Sequence, residues 1–239
     1  MNAPYFFHEM LDTNYADVEL NTATFKHVVQ VLRMKVGDVL KLTNGKGLEA
    51  KAEITEVSKK KCVVRCSDFK EQTRTRPSLS VGISLTRNTS RNEWVLEKLG
   101  EFGVQHIYIF ASDHSVKSHF KLERFKQILI SAMLQSQQVF LTELHSLDSF
   151  ENALMTFGNH KLKLIAHCEE SEEKKSIHSF LKTNEDTLVL IGPEGDFSST
   201  EITKAMNVGF VPVHLGPKRL RTETAAMTVA AHHYLINHA

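Results

Sequence analysis

The chain has 239 residues, with 29 Lys plus Arg against 28 Asp plus Glu and a formal net charge of +1. That length supports one large domain or two modest ones with real cores, and the near-zero charge excludes a uniformly basic nucleic-acid binder, so any RNA-binding surface must come from local clustering. The three cysteines, Cys62, Cys66 and Cys168, lack the paired Cys or His spacing of a zinc site; Cys62 and Cys66 sit in a β-like run and are expected to be buried free thiols, which suits a reducing cytoplasm. No apolar stretch is long enough to span a membrane, and Met1–His8 lacks a signal peptide's basic start and long apolar core, which together predict a soluble, cytoplasmic protein.

Residues 1–72 read as β-rich with one helical interruption. Tyr5-Phe6-Phe7 predicts a first strand, and Thr24 to Met34 has helical spacing, with Phe25, Val28, Val29 and Leu32 on the apolar side. Val39–Leu42, Leu48–Val57 and Cys62–Cys66 follow as short runs, with a turn at Asn44-Gly45-Lys46-Gly47, and predict a small barrel or folded sheet that binds rather than catalyses. Arg33, near the helix end, reads by itself as a solvated side chain satisfying the helix dipole. Between Lys59 and Arg76 the cations Lys59, Lys60, Lys61, Arg65, Lys70, Arg74 and Arg76 outnumber Asp68 and Glu71; they form either a solvated face or an RNA surface.

The polar stretch Glu71–Pro77 predicts a domain boundary. From residue 73 to 239 strands and helices alternate: strands at Leu79–Leu85, His106–Phe110 and Leu162–Ala166, and helices at Glu93–Phe102, Leu122–Gln138 and about Asp148–Phe157. Alternation of this kind predicts an α/β domain with a mostly parallel sheet covered on both faces, whose ligands sit beyond the C-terminal ends of the strands. Two strand-turn-helix units complete the chain.

In the first unit, Thr187–Ile191 runs into Gly192-Pro193-Glu194-Gly195, and the spacing of Ser198 and Glu201 predicts a capping box and a helix from about Ser199. The loop is an ordinary turn or a ligand cradle. A phosphate fits it badly, because Pro193 offers no N–H and Glu194 brings negative charge, whereas a neutral or cationic ligand such as a sulfonium methyl donor suits it. In the second unit, the strand Gly209–His214 turns at Gly216-Pro217 into a helix from near Thr222, capped by Thr222 or Thr224, with Ala225, Ala226, Val229, Ala230 and Leu235 towards a packed face. Lys218, Arg219 and Arg221 crowd a helix N-terminus that is already electropositive, which points to an anionic partner.

Ile191-Gly-Pro-Glu-Gly195 with Ser198 and Glu201-Ile202, and Leu215-Gly216 with Arg219-Leu-Arg-Thr-Glu-Thr-Ala225, closely resemble the signature of the RsmE family of ribosomal RNA methyltransferases, of the SPOUT class. His27, Val31, Leu32 and Arg33 match an early motif of that family, and Arg87, Glu93, Lys98, Glu101, Phe102, Gly103 and Val104 match a later one. Gln135 and Ser136 fit a third, from which Leu134, Gln138 and Thr142 depart, which puts the details of RNA contact in doubt.

The resemblance implies a PUA-like RNA-binding β-barrel domain over residues 1–72 and a SPOUT methyltransferase domain over 73–239, tied in a trefoil knot that no pattern in the residues reveals. It implies methylation of N3 of a uridine in 16S ribosomal RNA from S-adenosylmethionine, without a metal, by a homodimer whose final helix is partly interface. It places the cofactor against Ala166, His167, Ile191, Gly192, Pro193, Glu194, Gly195, Leu215, Gly216, Leu220 and Thr222. Arg221 stabilises the developing uracil anion and Glu223 acts as base or orients Arg221; the bland alternative is that Glu223 only caps the helix and that His167 is structural. Arg33, Arg87, Lys98, Lys218 and Arg219 are the RNA-binding candidates, with Lys98 alternatively paired to Glu97 or Glu101. The rival readings are another SPOUT methyltransferase, acting on a ribose hydroxyl or a transfer RNA, and a non-catalytic RNA-binding protein that keeps the fold.

Overall fold

The computed structural model describes residues 3–74, 76–115, 121–157, 160–170, 174–181 and 185–237; Met1 and Asn2, and Thr75 of the expected linker, lie outside the described residues. The chain divides into two compact units, residues 1–74 with 133–141, and residues 75–132 with 142–239. Among the described residues, no helix is long and apolar enough to cross a membrane.

In the first unit, β1 (Tyr5–Phe7), β2 (Asp17–Glu19), β3 (Val39–Thr43), β4 (Leu48–Val57) and β5 (Cys62–Glu71) form one sheet of order β1-β3-β4-β5-β2. Only the β1–β3 pairing is parallel. Alternate residues point the same way along a strand, so Leu40 and Leu42, Ala50, Ala52 and Ile54, and Cys62, Val64 and Cys66 meet in a single core. The helix expected over Thr24–Met34 is instead α1 (Thr22–Phe25), capped by Asn21, running into a π-helical turn over Lys26–Val31. Leu32 N–H reaches back five residues to His27 O, and this wider winding carries Leu32 off the apolar face to 43% exposure while Phe25 and Val28 stay buried.

β5 runs on to Glu71, so the expected linker begins inside a strand. Segment 133–141 joins this unit through hydrogen bonds from Gly47 N–H to Val139 O and from Leu141 N–H to Gly45 O, with the Arg74 guanidinium 4.7 Å above the Phe140 ring. Gly47, at φ +105°, could not carry a side chain: a Cβ there would meet Gln72 O at 2.6 Å and the Phe140 ring at 2.8 Å. The cations of Lys59–Arg76 are spread over separate partners, with Lys61 on Glu56 and Arg65 on Asp17 in this unit, and Arg76 on Asp186 in the other.

The second unit is built on β6 (Leu79–Ile83), β7 (His106–Phe110), β8 (Glu143–Leu147), β9 (Leu162–Ala166), β10 (Lys175–Ser176), β11 (Thr187–Ile191) and β12 (Val211–His214), in the order β10-β12-β9-β11-β6-β7-β8. All six pairings are parallel. The helices are α2 (Thr89–Glu101), α3 (Leu122–Gln135, its last turn in the first unit), α4 (Phe150–Thr156), α5 (His178–Leu181), α6 (Ser199–Asn207) and α7 (Thr222–Asn237). α7 packs on α2, α5, β6 and β11. An aromatic cluster of Phe110, Phe150, Phe157, Phe197 and Phe210 closes over Ile202 and Ala205 of α6.

β1, β4, β7, β9 and β11 span the residues expected of them, and the other predicted elements recur with shifted ends. α3 stops before Gln138, because Gln137 turns to φ +57° and Gln138 N–H bonds Met133 O. β12 starts after Gly209, whose φ of +90° makes it part of the turn leaving α6. β2, β8 and β10 were not foreseen: the first and last are only three and two residues long, and β8 reads Glu-Leu-His-Ser-Leu, an edge strand without an apolar run. Strand order reverses beside β11, with β6, β7 and β8 on one side and β9 and β12 on the other. Such a switch point leaves a crevice at the carboxyl ends of the strands.

Candidate active site

The loops that leave β9, β11 and β12 meet at that crevice and enclose a cavity of about 730 Å³, within the roughly 300–1,000 Å³ typical of small-ligand pockets. Ala166, His167, Ile191, Gly192, Pro193, Glu194, Leu215, Gly216, Leu220 and Thr222 all line it, as do Lys218, Arg219 and Arg221. Gly195, the remaining cofactor candidate, is absent from the lining. A Cβ on it would stand 2.8 Å from the Cβ of His114, so this glycine makes room for His114, whose Nδ1 lies 3.1 Å from Asp196 O. Gly216 has φ +132° and nothing within 4 Å of where a Cβ would stand, so here bare backbone borders the cavity.

Hydrogen bonds fasten the three loops to one another. Asp196, itself at φ +66°, closes the β11 loop by donating its N–H to Pro193 O at 3.0 Å, and its carboxylate accepts from Phe197 N–H at 2.8 Å and from Cys168 N–H at 2.6 Å on the β9 loop. The Thr222 hydroxyl, expected as a helix cap, instead donates to Gly192 O at 3.0 Å and ties the start of α7 to the β11 loop. Lys174 Nζ donates to the carbonyls of His167 and Glu169. The Ser198–Glu201 capping box is present, and the buried Glu201 carboxylate accepts from the N–H groups of Ser198 and Asp113. This end of α6 is therefore satisfied from within the chain, which fits the reading of the β11 loop as no phosphate cradle.

His167 is buried, and neither ring nitrogen has a hydrogen-bond partner among the described residues. Burial, seconded by the charge of Lys174, holds its pKa below the ordinary histidine value, which makes it a neutral wall of the cavity. Cys62 and Cys66 are buried as expected, and Cys168, past the end of β9 on the loop, is exposed. Burial pushes the Cys66 thiol up to about 11.

Arg221 accepts the first hydrogen bond of α7, from Ala225 N–H, and its exposed side chain borders the cavity. Glu223 is the second residue of α7 and is absent from the cavity lining; it is buried to 9% exposure, with Oε1 3.5 Å from Arg91 Nε and Oε2 without a hydrogen-bond partner among the described residues. Arg91 of α2 lines the same cavity, and sequence reasoning missed it. No sequence signal joins residues so far apart; only the packing of α2 on α7 does. Asp196 and Lys174 were missed as well, although Asp196 directly follows the Gly192–Gly195 loop.

The other RNA-binding candidates are scattered. Lys98 donates to Glu97 at 2.7 Å and Glu101 at 2.9 Å, the pairing given above as its alternative role. Arg87 is exposed on the loop between β6 and α2 and, like Lys98, is outside the cavity lining. Arg33 belongs to the first unit, exposed and at φ +56°. Of the departing residues, Thr142 is buried and its hydroxyl donates to Val104 O at 2.7 Å, while Gln138 Nε2 donates to Ser136 Oγ.

Residues 74–233 match the family model described as an RNA methyltransferase domain, and residues 20–65 match an RNA methyltransferase PUA domain. The ribosomal RNA small subunit methyltransferase E of Buchnera aphidicola is 29% identical over 226 residues, spanning 88% of this chain and 87% of its own. A crystal structure of a "probable rRNA-methyltransferase" from Porphyromonas gingivalis superposes with a TM-score of 0.90 and 33% identity, covering 98% of each chain. A Legionella pneumophila structure solved in complex with the bound cofactor SAM gives a TM-score of 0.83 and 29% identity over 97% of this chain and 96% of that one. Two domain matches in the expected order and likeness along nearly the whole length lead to one conclusion: the chain belongs to the RNA methyltransferase family, in its RsmE branch of the SPOUT class.

Proposed function

We propose that the chain methylates N3 of a uridine in 16S, small-subunit ribosomal RNA, with S-adenosylmethionine as donor, in the cytoplasm and as a step of ribosome maturation. The observation that carries this reading is the cavity between the β9, β11 and β12 loops, with Arg221 at its border and Glu223 two residues on, in the first turn of α7. Its walls suit the donor. Ile191, Val213, Leu215 and Leu220 supply apolar surface, Gly216 leaves backbone open, and Glu194 and Asp196 offer negative charge towards a cation. Ala166, Ile191, Gly192, Leu215, Gly216 and Leu220 would hold the cofactor, with His167, Pro193, Glu194 and Thr222 completing the walls. When bound, S-adenosylmethionine supplies an electrophilic methyl group.

The protein's own task is to make uracil N3 a nucleophile. That nitrogen carries a proton, whose loss leaves negative charge spread over the ring and its two carbonyl oxygens. Arg221 stabilises that charge, as a positioned cation does in a site shielded from water. Glu223, held through Oε1 by Arg91, acts as the base or orients Arg221. Lys218 and Arg219, exposed on the same loop, meet phosphates and hold the RNA without reading its sequence. Arg87 is a further RNA contact of the second unit, with Lys98 one only if it leaves its glutamates, and Arg33 is the RNA contact of the first unit.

Residues 1–72 act as the PUA-like, RNA-binding barrel and 73–239 as the catalytic domain. Support for a trefoil knot comes from the strand order: the chain inserts β11 between the earlier β9 and β6, crosses to β12 beyond β9, and returns with α7 onto α2, β6 and β11. The homodimer is supported by apolar side chains that α2 and α7 leave in solvent, namely Trp94 at 40%, Tyr234 at 41% and Leu235 at 65% exposure.

The test is methyl transfer from labelled S-adenosylmethionine to small ribosomal subunits lacking the modification, with the product nucleoside identified by mass spectrometry. Formation of 3-methyluridine is the expected result. Cofactor binding with label at another nucleotide, or with none transferred, would overturn the assigned substrate.

A further inference from the structure

At the opposite end of the same sheet lies a group of side chains that methyl transfer does not use. His106 opens β7 and Glu143 opens β8, and the two are register partners; His145 lies two residues further along β8, opposite Tyr108. Since side chains alternate along a strand, His106, Tyr108, Glu143 and His145 project from one face of the sheet. His106 Nδ1 is 3.2 Å from His145 Nε2 and 3.5 Å from Glu143 Oε2, and His145 Nε2 is 3.9 Å from that same oxygen. Thus three donor atoms, two imidazole nitrogens and one carboxylate oxygen, converge on one point.

From this geometry we infer that His106, Glu143 and His145 form a binding site for a divalent cation of the zinc type. A tetrahedral zinc ion with bonds of about 2.0–2.2 Å to nitrogen and oxygen sets its ligand atoms roughly 3.3–3.6 Å apart. The three separations bracket that edge length, so the ion needs only a small inward movement of the most exposed ligand, Glu143. Two imidazoles and a carboxylate favour zinc, or another first-row ion that accepts nitrogen, over calcium or magnesium, which prefer all-oxygen shells.

The rings are already oriented. Tyr108 stacks on His145 with centroids 4.7 Å apart and planes 17° from parallel, and the two histidine rings lie 5.3 Å apart. In the His106–His145 contact one nitrogen holds a proton; in the loaded site that ring carries it on its other nitrogen, and both facing nitrogens present lone pairs to the ion. The fourth position faces solvent, as the partial exposure of His145 and Glu143 requires, and is left to water or an exogenous ligand. The site stands at the amino ends of the strands, whereas the cavity stands at their carboxyl ends, so the ion takes no part in methyl transfer. Its place across β7 and the edge strand β8 makes it a clamp on the sheet's margin.

The experiment titrates the tag-free, chelator-treated full-length protein with zinc by calorimetry, and with cobalt by absorption spectroscopy. One saturable equivalent and a four-coordinate cobalt spectrum are expected. Glu143→Gln and His145→Ala should each weaken zinc by more than tenfold, since loss of a mere outer-shell partner already costs about 10–100-fold. Glu143→Gln, nearly isosteric, keeps the test meaningful should His145→Ala fold poorly. A second histidine pair, His178 and His232 at 2.8 Å, provides the control. Loss of the equivalent in His178→Ala but not in Glu143→Gln, or no saturable uptake by the wild-type chain, would overturn the assignment.

Discussion

Replacing Thr222 by valine removes one hydroxyl and keeps the side chain's shape. Thr222 is 5% exposed, and its hydroxyl donates to Gly192 O at 3.0 Å, the only hydrogen bond among the described residues between the start of α7 and the β11 loop. Valine leaves that carbonyl buried without its donor, a change that costs about 1–3 kcal/mol. For a folding unit of this size, melting temperature falls by about 2–4 °C per kcal/mol. Because Gly192 and Thr222 both line the cavity, cofactor affinity should fall too, by about five- to thirtyfold if 1–2 kcal/mol of the loss is felt there. Thermal melting with and without S-adenosylmethionine, together with calorimetric titration, reads both quantities. Thr222→Ser restores the hydroxyl and should restore both. A valine variant with unchanged melting and affinity would refute the claim that this bond sets the cavity.

Arg221→Ala should lower methyl transfer by about a hundred- to a thousandfold while cofactor affinity stays largely intact; an equal fall in both would make Arg221 a cofactor ligand instead. Asp186 accepts from Ser78 N–H, Ser78 Oγ and Arg76 Nη1. Burial pushes its carboxyl up, but the two Ser78 hydrogen bonds and the charges of Arg76 and His160 outweigh it and hold the pKa below the ordinary value of 3.8. A folded value below the unfolded one means that the stabilisation is complete above about pH 4 and is lost as pH falls through the lowered value. Urea midpoints measured down into acid should therefore show a limb that Asp186→Asn removes; an unchanged limb in the variant would place the acid sensitivity elsewhere.

How much the chain discloses by itself varies with the range over which each feature is decided. Thr187–Ile191 and Leu162–Ala166 are apolar runs between turns, and they became strands with the ends expected of them. Ser198 and Glu201 sit three apart, so their capping box needs nothing beyond its own helical turn. The cavity residues Ile191–Glu194 and Leu215–Thr222 were legible for the same reason: each set is contiguous and follows a readable strand. Tertiary structure alone decided the rest. Local spacing from Thr24 to Met34 asks for a regular helix, yet the chain winds there as a π turn that leaves Leu32 exposed. β8 has no apolar run, because an edge strand with a half-exposed face needs none; its partner β7 draws it into the sheet. Residues 133–141 group with the N-terminal unit through Gly45 and Gly47, which lie almost a hundred positions away in the chain. Arg91 meets Glu223, and His106 meets Glu143 and His145, only because strands and helices distant in sequence pack side by side. Hydrophobic period and turn chemistry act over a few residues and leave their mark in the sequence; the meeting of two side chains across a sheet depends on every register between them, and no local pattern carries that.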